Sequence, residues 1–295
     1  MPYRSVLNQE KYKFAQLTTK MKLTGKTFDL EGYDIAIRRA VLDLTARTLK
    51  PCAGVDGKLS DKLADQTDTN SFLYKIKSYF EAPALSKDDF DIWHHKRCGE
   101  VLNVIRYYYT NSDGSLVNYG KAQKIVNITL KSCYCLDGSD QKEDHFEHCH
   151  VALDSFTLAW YNRNNCGNQI KTNWSNLTES EYKEIVLRIR EMQDQVFSSL
   201  TPLQKEFLVW PLEIMIATIK SVNDCFGGFI DGDHVDAYFA QYNKTNDLTM
   251  ANIILGRQTP DTLDEAFIQW LRDVPQKYKK SQAAAEILRR YGCES

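Results

Sequence analysis

The chain has 295 residues, with an apolar share of 43%, a charged share of 26% and a formal net charge of −2. That composition excludes wholesale disorder and shows no global basic excess of the kind that announces nucleic acid. No stretch approaches the roughly 18 apolar residues of a membrane span, the N-terminus has no apolar signal core, and eight scattered cysteines suit reduced thiols, so a cytoplasmic protein without a disulfide framework is expected.

Glycine and proline are sparse, and the intervals between them carry the 3.6-residue apolar spacing of helices. Residues 29–49 read as a helix stopped by Pro51, followed by a polar loop around Gly54 and Gly57 and one or two helices between Ser60 and Phe80. Ser86, with Asp88 and Asp89 behind it, caps a long helix through Trp93, Leu102, Ile105 and Tyr109, which the turn Asn111-Ser112-Asp113-Gly114 ends. Strand signals are few, and Leu116 to Asn118 is expected in a short hairpin.

A helix from Tyr119 to about Tyr134 comes next, and another opens behind Asp154. Thr178-x-x-Glu181 and Thr201-x-x-Gln204 both match the capping box, with Pro202 at the tolerated first helical position. The helices they start are expected to run to about Ser198 and Ile219, the second disturbed at Pro211. Residues 261–290 read as one or two amphipathic helices rich in Lys and Arg, and no repeat with a period of about 20–50 residues occurs. The expectation is a mainly α, compact multi-helix protein. It forms one helical domain, or two packed lobes (about 1–115 and 116–295) with a groove between them.

Charge is uneven along the chain. From His94 to Lys131 six Lys or Arg face two acids, whereas the loop from Asp137 to Glu147 has five acids against Lys142. Such alternation builds either a positive groove with an acidic lip or an ordinary solvated surface. On the helix from Tyr119, the residues Ala122, Ile125, Val126, Thr129, Leu130 and Cys133 fall on one face, expected to be buried. Lys121, Lys124 and Lys131 fall on the other side, pointing amines toward solvent, a groove or a phosphate backbone. Asp154 stands where a helix N-cap belongs; capping alone explains an Asp there, yet a capping carboxylate is also oriented and kept ionised by backbone amides.

Lys-Ile-Val-Asn-Ile-Thr-Leu-Lys (Lys124 to Lys131), followed thirty positions after Lys124 by Asp154 opening a helix, resembles the helix-hairpin-helix DNA glycosylases. The likeness is to their archaeal 8-oxoguanine glycosylase branch and covers roughly residues 119–162. It implies DNA as partner and excision of a modified base. By position it makes Lys124 the nucleophile that forms a Schiff base at C1′, with Lys121 as runner-up. Asp154 becomes the carboxylate that stabilises the sugar cation or activates the nucleophile. The loop between them has only Gly138 and is acidic, where the family carries a Gly-rich hairpin.

The remaining candidates surround this pair in sequence. Trp160, with Trp93, Tyr107, Tyr108 and Tyr161, offers aromatic surface that a flipped base needs, although aromatics near helices are more often core. His150, four residues before Asp154, lines the same pocket or belongs to an ordinary loop. His94, His95 and Arg97 form either a basic helix face or a phosphate contact. Cys133, Cys135, His145 and His148 are zinc-type ligands at irregular spacing, and buried thiols with ordinary histidines are the commoner outcome, so neither metal nor cofactor is expected. The segment 227–236 has glycines and acids without calcium-loop spacing. No G-x-x-x-x-G-K-S/T, G-x-S-x-G or H-E-x-x-H occurs. The alternative to a glycosylase-like enzyme is a non-catalytic helical module that binds nucleic acid or an acidic partner through its basic face.

Overall fold

A computed structural model describes residues 4–16, 21–164, 169–191, 200–210 and 213. The ends expected near Ser198 and Ile219, the break at Pro211, the segment 227–236 and the basic tail 261–290 lie outside these residues. The protein is mainly α, as its apolar spacing predicts. Helices α1 (Arg4–Gln16), α2 (Leu30–Thr48), α3 (Leu59–Leu63), α4 (Phe72–Glu81), α5 (Lys87–Tyr108), α6 (Tyr119–Cys133), α7 (Glu143–Phe146), α8 (Ser155–Asn164) and α9 (Glu179–Glu191) follow one another, and a further helix covers 202–210. Among the described residues none is long and apolar enough to cross a membrane.

The helices begin where local chemistry places them. The Asp29 carboxylate accepts from Gly32 N at 2.9 Å at the start of α2, and Ser86 Oγ accepts from Asp89 N at 3.3 Å at the start of α5. Both capping boxes close reciprocally. Thr178 N donates to Glu181 Oε2 at 2.8 Å and Glu181 N to Thr178 Oγ1 at 3.3 Å; Thr201 N donates to Gln204 Oε1 at 3.1 Å and Gln204 N to Thr201 Oγ1 at 3.3 Å.

The hairpin expected at Leu116 to Asn118 does not form. The ladder runs instead between β1 (Leu49–Pro51) and β2 (Tyr109–Asn111), antiparallel, with Leu49 opposite Asn111 and Pro51 opposite Tyr109. The carbonyls of Leu116 and Val117 are held by side chains, the Asn111 amide at 2.8 Å and Arg106 Nε at 2.9 Å, which satisfies them without a strand partner.

The chain divides into two compact units. Described residues of the first lie within 4–158, 170–191 and 200–207; those of the second are 159–164, 169, 208–210 and 213. In the first unit α6 is the central element, packed by α2, α5, α9 and the short turn Trp174–Asn176. All its residues from Tyr119 to Cys133 are buried. A second part of this core is aromatic: Tyr33 stacks on Phe80 at 6.0 Å, with Phe28 and Phe146 edge-on or tilted against them.

Candidate active site

Because α6 is buried all round, its lysines have to be partnered inside the protein rather than by solvent. This corrects the expectation that Lys121, Lys124 and Lys131 point outward as a basic face. Lys121 donates to Asn111 Oδ1 at 2.6 Å, and its burial lowers its amine below the usual lysine range. Lys131 forms an ion pair of 2.7 Å with Glu206, both side chains nearly inaccessible. Lys124 stands between them on the helix. Its amine lies 2.7 Å from Asp43 Oδ2 on α2, 4.0 Å from Asp154 Oδ2, and 4.8 Å from the centre of the Trp174 ring.

Gly120 makes this arrangement possible. A Cβ there would meet the Trp174 carbonyl at 1.9 Å, and Gly120 N donates to Leu177 O at 3.0 Å. The backbone approach carries the Trp174 ring over the amine one turn further along α6, where a cation–π contact supports it.

Asp154 is held more tightly than a cap requires. Its Oδ1 accepts from Phe156 N at 2.9 Å and Thr157 N at 3.0 Å, and its own amide donates to Thr157 Oγ1 at 2.7 Å. The extended segment before it is bound to α6 side chains. Gln123 Nε2 donates to Leu153 O at 2.8 Å, Leu153 N donates to Gln123 Oε1 at 3.2 Å, and Asn127 Nδ2 donates to Val151 O at 3.0 Å. Between these contacts Ala152 N donates to Glu206 Oε2 at 2.7 Å. Two amide side chains one turn apart thus treat residues 151–153 as a strand treats its neighbour, and one acid of the Lys131 pair completes the set. A buried hydrogen-bonded network of this kind favours one geometry, and in it Asp154 Oδ2 lies 4.0 Å from Lys124 Nζ.

His150 is turned the other way, to α5 and α9. Its Nδ1 lies 2.8 Å from Tyr182 Oη and its Nε2 2.8 Å from Asp91 Oδ1, so with a neutral ring the Tyr182 hydroxyl donates to Nδ1 and Nε2–H donates to the carboxylate. Asp91 also receives a two-pronged contact from Arg190, at 2.6 and 2.9 Å. Burial alone would raise the Asp91 carboxyl, but the bonds from His150 and Arg190 outweigh it and hold it well below the usual carboxylate range. His94 joins the network through Asn127 Oδ1 at 2.8 Å and lies 4.3 Å from the His150 ring, while His95 meets Tyr119 Oη at 2.8 Å. Arg97 is buried with an ion pair of 3.0 Å to Glu100. His94 and Arg97 therefore form no basic surface. Trp160 belongs to the second unit, where it is buried.

Cys133, Cys135, His145 and His148 are not gathered into a ligand set, and among the described residues no three His, Cys, Asp or Glu side chains converge in a way that could hold a metal ion. Burial raises both cysteines, Cys135 to about 12, so they remain thiols.

The histidine network is expected to make the fold acid-sensitive. Burial lowers the His150 imidazole from 6.5 to about 4 against the pull of Asp91, and burial also lowers His94. A depressed histidine means that the unfolded chain binds more protons between pH 6.5 and about 4, so stability is lost as pH falls through that window. The loss from His150 is expected to be on the order of 3 kcal/mol. Urea midpoints measured from pH 7 to 4 check this, and His150→Gln should flatten the slope. A midpoint constant over that range would refute a neutral buried His150.

Sequence reasoning missed Asp43 and Trp174. Asp43 stands one turn after Arg39 and reads as a surface helix charge, so nothing local marks it. Trp174 carried a usable signal, a single large aromatic in the polar run Lys-Thr-Asn-Trp-Ser-Asn (171–176). No family model matches the chain, and no curated protein or solved structure matches it.

Proposed function

We propose that the chain is a DNA glycosylase-like enzyme that excises a modified base, with Lys124 as nucleophile and Asp154 as the anion that stabilises the sugar cation. The observation that carries this reading is the approach of Lys124 Nζ to Asp154 Oδ2, 4.0 Å, between side chains that are 9% and 12% exposed. Cleaving the bond between sugar and base develops positive charge on the sugar. A carboxylate already oriented by two backbone amides can meet that charge without reorganising. The amine then attacks C1′, and Trp174, over the amine, gives a displaced nucleotide an aromatic wall.

Borohydride trapping on duplex oligonucleotides carrying 8-oxoguanine or an abasic site tests the reading. A covalent adduct is expected with the wild-type chain and with Lys121→Gln, and none with Lys124→Gln. Base release without any adduct would keep Asp154 at the centre and remove Lys124 as nucleophile. A folded protein that gives neither adduct nor base release would be the non-catalytic binding module instead.

A further inference from the structure

Two carboxylates face one amine, and they differ in exposure, in distance and in their other hydrogen bonds. Asp154 is nearly buried, one of its oxygens is committed to the α8 amides, and the other stands 4.0 Å from Lys124 Nζ, beyond a direct hydrogen bond. Asp43 lies 2.7 Å from the same nitrogen, and its side chain is 50% exposed. The ordinary explanation of an Asp at this point of α2 is a helix pair with Arg39, four residues earlier. Arg39 is engaged elsewhere: its guanidinium donates to the carbonyls of Phe14 at 2.6 Å, Ala15 at 3.1 Å and Met21 at 3.2 Å. Asp43 is thus directed at Lys124 while remaining open to water.

A lysine nucleophile has to shed a proton before it attacks, and the Lys124 side chain is 9% exposed whereas the Asp43 beside its amine is 50% exposed. We infer that Asp43 is the proton shuttle of this site, taking a proton from Lys124 Nζ as the amine attacks and returning it to the departing group. The assignment rests on the glycosylase reading. At an abasic site the ammonium gives one proton to Asp43 Oδ2, and the freed electron pair forms the bond to the C1′ aldehyde carbon. A second proton moves from nitrogen to the new alkoxide oxygen. The C1′–OH bond then breaks as Asp43 returns its proton, and water leaves behind an iminium with one N–H. Hydride from borohydride reduces that carbon to a secondary amine. With an intact nucleotide the same proton goes to the departing base, which leaves with the electron pair of its bond to C1′. Different surroundings thus give two carboxylates two roles, the buried one held by the α8 amides and the exposed one carrying the proton.

The test is borohydride trapping on abasic-site DNA with wild type, Asp43→Asn, Asp43→Glu and Lys124→Gln, each confirmed folded by circular dichroism. General acid–base groups contribute about 100-fold or more, so Asp43→Asn is expected to slow adduct formation by at least ~100-fold. Asp43→Glu should recover part of the rate. Because the position is open to water, added formate should restore Asp43→Asn and leave Lys124→Gln inactive, a response that a merely structural aspartate would not give. Adduct formation by Asp43→Asn at the wild-type rate, or a deficit that neither formate nor glutamate relieves, overturns the shuttle and leaves Lys124 as nucleophile. No adduct with the wild-type chain overturns the lysine chemistry and the shuttle together.

Discussion

Lys131→Met is expected to destabilise the first unit by about 3–5 kcal/mol, a large share of the roughly 5–15 kcal/mol that holds a typical domain together. The change removes one partner of the Lys131–Glu206 pair, whose side chains are 3% and 2% exposed, leaves a buried carboxylate without that partner, and takes the amine from the rings of Phe14 and Phe207. Burial already pushes the Glu206 carboxyl upward, against the pull of Lys131 and the Ala152 amide. Removing the amine takes away the main offset to that penalty and leaves the Ala152 amide as the remaining one described. Adding Glu206→Gln should recover most of the loss, since the amide oxygen can still accept from Ala152 N while both charges are gone. Denaturant unfolding of the two single variants and the double variant gives the coupling directly. A single Lys131→Met cost below about 1 kcal/mol would mean that the pair is not buried as described.

That pair also shows why the helical frame is legible in the sequence and the interior of α6 is not. Asp29, Ser86, Thr178 with Glu181, and Thr201 with Gln204 announce their helices because each signal acts on amides two or three residues away. The lysines of α6 are satisfied by Asn111, Asp43 and Glu206, between 10 and 81 positions away. A periodicity argument treats a lysine as solvated because an unpaired one would be, and it has no access to partners that arrive from other elements. Gln123 and Asn127 give no local signal for the same reason, since they act as hydrogen-bonding edges for residues 151–153. The Lys124–Asp154 juxtaposition is the exception. Residue type and the resemblance both suggest the pair, while a separation of thirty positions fixes no distance; the structure gives 4.0 Å.

Asp154→Asn is the variant that separates capping from chemistry. Asparagine caps helices about as well as aspartate, so its side-chain oxygen can keep the contacts to Phe156 N and Thr157 N, and the thermal midpoint should move by no more than a few degrees. What changes is the oxygen aimed at Lys124, where an anion becomes a neutral amide. If that anion meets the developing sugar cation, the single-turnover rate of base release should fall by about 10²–10³, the size found for removing one preorganised electrostatic group. Asp154→Ala should lose the rate and also about 1–2 kcal/mol of stability, because the cap goes with the charge. Stability and rate falling together in both variants would point to a cap whose loss disorders the site. A rate that collapses in Asp154→Asn while the fold holds would assign the carboxylate to the reaction, because that variant keeps the cap and loses the anion facing Lys124.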